Sequence, residues 1–287
     1  MTDLREHLTV SPGDFRLAEV DPRATPGLPG DTAARKDPKS WSRARVAEIG
    51  AELAVYQEKL FAAAKEGDSR RRVLLLLQAM DCGGKDGTVR AVLGGMNPTG
   101  IKAVSFGPPT DEERAHDFLW RIERALPSPG QVGVFNRSQY EDVLVVRVHQ
   151  LVPAPEWTQR YQRINDFEAA QARDGLTVVK VMLHISREEQ RQRLLDRLND
   201  PSKRWKYHPG DVDERARWDD YQAAYQDALT RCSTPENPWH VVPADRKWYR
   251  NWAVATLLRD AMAHADPGYP EPGYDVATEI GRVRAAD

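Results

Sequence analysis

The sequence predicts an α/β fold, a doubly wound parallel five-stranded sheet flanked by helices with a helical lid. Three observations predict it. Five short apolar runs, at residues 73–77, 103–106, 132–135, 178–183 and 240–242, are separated mostly by longer helical patterns. Parallel strands need crossover connections of that length, usually helical. The first run leads directly into a glycine-rich turn and a further helical pattern, and residues 187–206 concentrate positive charge in a chain whose net charge is only -2.

Taken in order, residues 1–40 carry Pro12, Pro22, Pro26, Pro29 and Pro38 among glycines and charges. That composition resists both helix and ladder pairing, so an extended arm packed on the body is expected. From 41 to about 65, Val46, Ile49, Leu53, Tyr56 and Leu60 recur at helical spacing and predict an amphipathic helix. No repeat, low-complexity tract or linker follows, so residues 41–287 read as one domain with a lid at about 187–215.

Bulk composition narrows the function classes. With 287 residues and 40% hydrophobic side chains the chain can bury a sizeable core, and 41 basic against 43 acidic residues advertise neither nucleic acid nor an anionic membrane. Any anion site must be local. Cys82 and Cys232 stand 150 positions apart without a cysteine framework, which fits a reducing cytoplasm. The amino-terminal residues lack a basic patch followed by an apolar stretch, and no apolar segment approaches the roughly 18 residues of a bilayer span.

Ligands of doubly wound sheets gather beyond the carboxyl ends of the strands, so the residues after each run are the ones to inspect. The first run continues as Gln78-Ala79-Met80-Asp81-Cys82-Gly83-Gly84-Lys85-Asp86-Gly87-Thr88. Gly83, Gly84 and Gly87 let backbone N–H groups curl around a phosphate, the helix amino terminus adds positive potential, and Lys85 can reach terminal phosphates. The match to G-x-x-x-x-G-K-[ST] is imperfect, since Ala79 replaces the first glycine and Asp86 the usual metal-binding hydroxyl. Asp81 inside a phosphate cradle would repel its ligand unless it held a metal or a proton.

The third run ends in Asn136-Arg137-Ser138-Gln139-Tyr140-Glu141-Asp142. An arginine fork with carboxylate-held Mg²⁺ is the equipment phosphoryl transfer requires, with Arg137 and Asp142 as candidates. Helix capping by Asn136 or Ser138 explains the same residues and is compatible with that role. His116 to Arg121 reads as helix, with Arg121 either solvated or touching phosphate. In the 187–206 segment seven basic residues face four acidic ones. Arg193 and Arg197 share a helical face, and Pro201 releases Lys203, Arg204, Trp205 and Lys206 into a loop. A mobile cationic cover would keep water from acting as acceptor. Trp205 reads as a buried hinge anchor, and a helix from Asp213 to Leu229 as the base of the lid.

In sequence order, LLLLQAMDCGGKDGT, HDFLWR, VFNRSQYEDVLVVRVH, LHIS, RLNDPSKRWKY and PADRKWYRNWAVA resemble the type-2 polyphosphate kinase family, from about residue 10 to 265. The resemblance implies a P-loop kinase-like, thymidylate-kinase-like fold with a lid, and Mg²⁺ dependence with Mn²⁺ able to substitute. It implies reversible transfer between inorganic polyphosphate and ADP or AMP, on adenine or guanine nucleotides, by a homo-oligomer (dimer or tetramer) that engages neither nucleic acid nor membrane.

Residue by residue, the resemblance makes Asp81, Lys85, Arg137, Asp142, Arg193 and Arg197 catalytic, with Asp81 and Asp142 as metal ligands. Gly83, Gly84, Asp86, Gly87, Thr88, Arg121, Asn136, Glu141, Lys203, Arg204 and Lys206 would contact phosphate or nucleotide. The YEDV form, with Glu141, resembles the subgroup that acts on nucleoside monophosphates as well as diphosphates. Two alternatives stand beside this reading. An ATP-dependent nucleoside or nucleotide kinase is opposed by the missing Ser or Thr after Lys85, and a binding regulator without turnover by Asp81 beside its cradle.

Overall fold

The computed structural model describes residues 4–30, 32–67 and 69–286. A short helix α1 (Leu4–Leu8), a 3-10 turn (Leu17–Glu19) and α2 (Thr32–Lys36) precede the long α3 (Pro38–Glu66). The arm is therefore less extended than its prolines predict. Thr9 forms an antiparallel bridge to His240, and Leu8, Val10 and Leu17 are buried, so apolar contacts hold a composition that local propensity disfavours. Helix α3 begins before Trp41 because the Asp37 side chain accepts the Ser40 N–H and Pro38 fits the first turn.

Five parallel strands follow: β1 (Arg72–Gln78), β2 (Ile101–Ser105), β3 (Val132–Asn136), β4 (Leu176–His184) and β5 (Trp239–Pro243), in the order β2-β3-β1-β4-β5. The α/β architecture matches the one the alternation predicts. Every residue of central β1 is buried, as a strand covered on both faces requires. The register sets Leu77 of β1 beside Asn136 of β3 and Gln78 beside Met182 of β4. The segments leaving β1 and β3 therefore emerge side by side.

Helix α4 (Lys85–Leu93) leaves the glycine turn after β1, and α5 (Asp111–Arg114) and α6 (Trp120–Ala125) separate β2 from β3. Residues 116–119 are not helical as expected. Asp117 accepts the Leu119 N–H at 3.1 Å and its carbonyl the Trp120 N–H at 2.9 Å, so a turn closes ahead of α6. After β3 come α7 (Val145–Val148) and α8 (Ala154–Arg173), and after β4 come α9 (Arg187–Asn199), α10 (Gly210–Ala216) and α11 (Trp218–Arg231). The single helix expected from Asp213 is broken at Arg217, whose side chain donates to the Val148 carbonyl at 2.9 Å. Helix α10 buries no residue, whereas α11 buries Trp218, Tyr221 and Tyr225.

Helix α12 (Lys247–His264) packs against α3 and α4, and α13 (Val276–Arg284) ends the chain on the surface. Tyr249 and Trp252 of α12 are core residues, with Trp252 edge-on to Trp41. Among the described residues no helix is long and apolar enough to cross a membrane.

Candidate active site

The turn between β1 and α4 is shaped by left-handed backbone at Cys82 (φ 62°) and Gly84 (φ 101°). At Gly84 the conformation also serves close approach, because a Cβ there would collide with the Arg250 guanidinium. Lys85, half-buried, folds back to donate to the Ala79 carbonyl at 3.0 Å. Burial, aided by the neighbouring Arg137 charge, holds its pKa below the usual lysine value, with Asp81, Glu141 and Asp86 opposing.

Arg137 leaves β3 in the same left-handed region (φ 64°), its N–H donating to the Leu77 carbonyl at 3.0 Å. A non-glycine residue there is strained, and such strain persists only where surrounding structure enforces it. The result aims the guanidinium across the strand gap, 3.1 Å from Asp81 Oδ1 and 3.6 Å from Glu141 Oε2. Gln78 donates to Glu141 at 3.1 Å, and Asn136 to Asp86 at 2.8 Å. Beneath this turn lies a buried network. Fully buried Lys180 donates to Glu168 at 2.6 Å and to Tyr140 Oη at 3.0 Å, while Gln139 and Tyr140 donate to Glu168 at 2.9 and 2.8 Å. Gln139 and Tyr140, just ahead of Glu141, are thus fixed from inside the protein.

Two cavities meet here. The first, of about 480 Å³, is lined by eight basic side chains (Lys85, Arg137, Arg193, Arg197, Lys203, Lys206, Lys247 and Arg250) against three carboxylates, Asp81, Asp86 and Asp196. Such a surplus in a confined basin favours an anion. The second, of about 560 Å³, shares Asp81 and Arg137 with the first and adds Glu141, Leu144, Val145, Tyr221 and Tyr225. Its apolar and aromatic walls suit an organic ring, with Glu141, His208, Asp211 and Glu214 as the polar groups beside the shared pair. A larger, more apolar cavity between α3 and α12 shares only Lys247 with the basin.

Several expected site residues lie elsewhere. Asp142 lines neither cavity. It pairs with Arg160 at 2.9 Å and faces Arg121 at 3.9 Å. Burial nevertheless pushes its pKa up to about 6, outweighing both arginines. The physical reason for its turning away is the 3-10 conformation of Gln139–Asp142, which points consecutive side chains in different directions, so Glu141 takes the cleft side. Arg121 is buried, donates to the Gly107 carbonyl at 3.0 Å and also lies outside both cavities. The Thr88 hydroxyl is buried and donates to the Gly84 carbonyl at 3.1 Å, inside its own helix.

Among the basic residues of 187–206, Arg193 clamps α9 to the glycine turn. Its guanidinium donates to the Cys82, Gly83 and Ala244 carbonyls at 2.9, 3.1 and 2.6 Å. Arg197 donates to the Lys206 carbonyl at 2.9 Å and pairs with Asp211 at 3.3 Å, tying α9 to the loop and helix that follow it. Lys206 lies 3.8 Å from Asp86. Arg204 is exposed and off the basin. Trp205, expected as a buried anchor, is 78% exposed, and the Lys206 ammonium sits over its ring.

Sequence reasoning passed over Arg250 and Lys247. Arg250 is 3% exposed, its only side-chain hydrogen bonds among the described residues go to Asn251, and burial beside Arg193 lowers its pKa to about 10. A buried cation without a carboxylate awaits an anionic partner. The available signal was a charge at position 250 between the buried Tyr249 and Trp252.

For a divalent cation the donor set is sparse. Among the described residues no three His, Cys, Asp or Glu side chains cluster to hold a metal. Mg²⁺ commonly binds through one or two carboxylates plus substrate phosphates, and Asp81 with Glu141, on either side of Arg137, fits that mode.

A parallel sheet with a glycine turn, a lysine and an arginine-rich cover at its carboxyl edge defines a P-loop-type phosphotransferase. The polyphosphate kinase 2 family model matches residues 38–269. The chain is 45% identical over 260 residues to the AMP/ADP-polyphosphate phosphotransferase of Meiothermus ruber, covering 91% of this chain and 93% of that protein. It is 44% identical over 215 residues to the ADP-polyphosphate phosphotransferase of Rhodopseudomonas palustris, covering 71% and 74%. The crystal structure of polyphosphate kinase 2 from Arthrobacter aurescens TC1 superimposes with a TM-score of 0.93 at 50% identity, covering 98% of this chain and 96% of that one. This chain belongs to the polyphosphate kinase 2 family.

Proposed function

We propose that the chain transfers phosphoryl groups reversibly between inorganic polyphosphate and AMP or ADP. The observation that carries this reading is the meeting of two unlike cavities at Asp81 and Arg137. A polyanion fits the cationic basin and a nucleoside fits the aromatic one, which brings their phosphates together at the shared pair. The relative from Meiothermus ruber, named for both AMP and ADP, supports the same acceptor range.

In the forward direction an oxygen of the acceptor's terminal phosphate attacks the terminal phosphorus of polyphosphate. A new P–O bond forms as the bond to the next phosphate breaks, and the electron pair leaves with the shortened chain. Lys85, Arg137 and Arg250 grip phosphate oxygens and balance their charge. Mg²⁺, or Mn²⁺ in its place, would be held by Asp81 and Glu141 and would neutralise charge on the transferring group. Asp81 also stands where it can orient or deprotonate the acceptor. The α9–α10 segment excludes water as lid, with Arg193 and Arg197 bracing it. No covalent enzyme intermediate is required.

A cytoplasmic homo-oligomer is the setting this reading favours. An ATP-dependent kinase on the same frame is disfavoured, because Asp86 stands where such enzymes place a metal-binding hydroxyl. The test is a matrix of donors (long-chain polyphosphate or ATP) and acceptors (AMP, ADP, GMP, GDP) with Mg²⁺, resolved by chromatography. Nucleotide products with polyphosphate alone support the proposal. Turnover only when ATP is supplied overturns it.

A further inference from the structure

The aromatic cavity carries a carboxylate that the transfer chemistry leaves without a role. Glu214 of α10 lines it beside Tyr221 and Tyr225, with 32% of its side chain exposed. Two side chains of neighbouring elements hold it. The Tyr221 hydroxyl donates to Oε2 at 2.5 Å, and His149 Nε2 lies 3.0 Å from Oε1 and 3.1 Å from Oε2. An ionised carboxylate only accepts, so the imidazole nitrogen facing it is the N–H. Burial, reinforced by the bond to Glu214, raises the Tyr221 pKa well above its usual value, so this hydroxyl stays a donor.

Helix α10 buries no residue and cannot fix Glu214 by its own packing. Tyr221, buried in α11, and His149, which ends α7, supply the fixing. Val145 at the start of α7 lines the same cavity, whereas His149 lines neither transfer cavity. A carboxylate has about four lone-pair directions, so two donors leave Glu214 able to accept more bonds on the side it shows the cavity. An acceptor-only group selects a ligand with O–H or N–H donors at that point. The tyrosine rings suit the face of a base, and the two oxygens of one carboxylate match the adjacent hydroxyls of a ribose, a pairing that dinucleotide-binding folds also use.

We propose that Glu214 reads the ribose hydroxyls of the acceptor nucleotide, and that His149 is a positioning residue that aims the carboxylate from behind. The proposal rests on the reading of this cavity as the nucleoside's. It is tested by isothermal titration of AMP and of 2′-deoxy-AMP into the full chain with Mg²⁺, for wild type, Glu214→Leu, His149→Leu and His149→Gln. Binding is measured apart from turnover, so loss of polyphosphate-dependent product would count against the transfer reaction alone.

Wild type is expected to bind AMP at least about tenfold more tightly than 2′-deoxy-AMP, the scale of a hydrogen bond to a charged group. Glu214→Leu and His149→Leu should bring the two ligands toward equal affinity by weakening AMP alone. His149→Gln, which keeps a donor, should restore part of the preference. Equal affinities in wild type would overturn the proposal. So would variants that weaken both ligands alike, the signature of a tie that only holds α10 in place. IMP in a further arm separates ribose from base: an AMP-over-IMP preference that the variants erase, with the ribose preference intact, would move Glu214 to the amine of the base and overturn the ribose assignment.

Discussion

Arg137 and Asp81 belong to segments that leave neighbouring strands, yet their side chains meet at 3.1 Å in the wall shared by the basin and the aromatic cavity. Both neighbourhoods contain strained backbone, at Cys82 and at Arg137 itself. The pairing is built by the fold and not by sequence proximity.

Replacing Arg137 with Lys keeps the charge but removes the planar fork that spans Asp81 and Glu141. Turnover is expected to fall about 10²–10³-fold, the scale seen when one preorganised donor is lost. Melting should be nearly unchanged. Steady-state kinetics beside a thermal melt check both halves of this expectation.

Glu141 and Asp142 separate by their responses to metal and to pH. Glu141→Gln should raise the Mg²⁺ concentration needed for half-maximal rate, while Asp142→Asn should leave that titration in place. Asp142 has a raised folded-state pKa, about 6, so the folded state takes up its proton before the unfolded chain does. Wild-type stability should therefore gain on Asp142→Asn as pH is lowered from 7 toward 5. A difference in melting temperature that is flat across that window would contradict the assignment.

Gly84→Ala combines a left-handed backbone penalty with a collision against Arg250. A loss of about 1–2 kcal/mol is expected from the backbone alone. Adding Arg250→Ala should recover some stability by removing the collision, without restoring activity, because Arg250 is assigned to phosphate. Recovery of turnover in the double variant would remove Arg250 from the site.

Lys180→Met strands Glu168 in the interior. Breaking one partner of a buried pair typically costs about 3–5 kcal/mol, measurable by urea unfolding. Lys180→Met with Glu168→Leu should be less damaging than Lys180→Met alone. A single variant as stable as wild type would show that the network beneath Tyr140 carries little energy.

The sequence made the sheet legible because parallel strands buried on both faces read as unbroken apolar runs, and the glycine turn legible because few other arrangements place GGK between strand and helix. The choice between Glu141 and Asp142 was hidden, since adjacent residues differ only in the direction a 3-10 turn gives them. Arg250 was hidden for another reason. It reaches the turn from a helix about 165 positions later along the chain, a contact that only the packing of α12 on α4 reveals. Trp205 misled because aromatic residues are usually buried, whereas here the ring is on the surface beneath the Lys206 ammonium.

The central claim is positional, and a crystal structure with polyphosphate and AMP bound tests it most directly. The account predicts a phosphate chain along Lys85 and Arg250, the nucleoside against Tyr221 and Tyr225, and their facing phosphates at Asp81 and Arg137. A nucleotide lying in the cationic basin with polyphosphate bound elsewhere would contradict it.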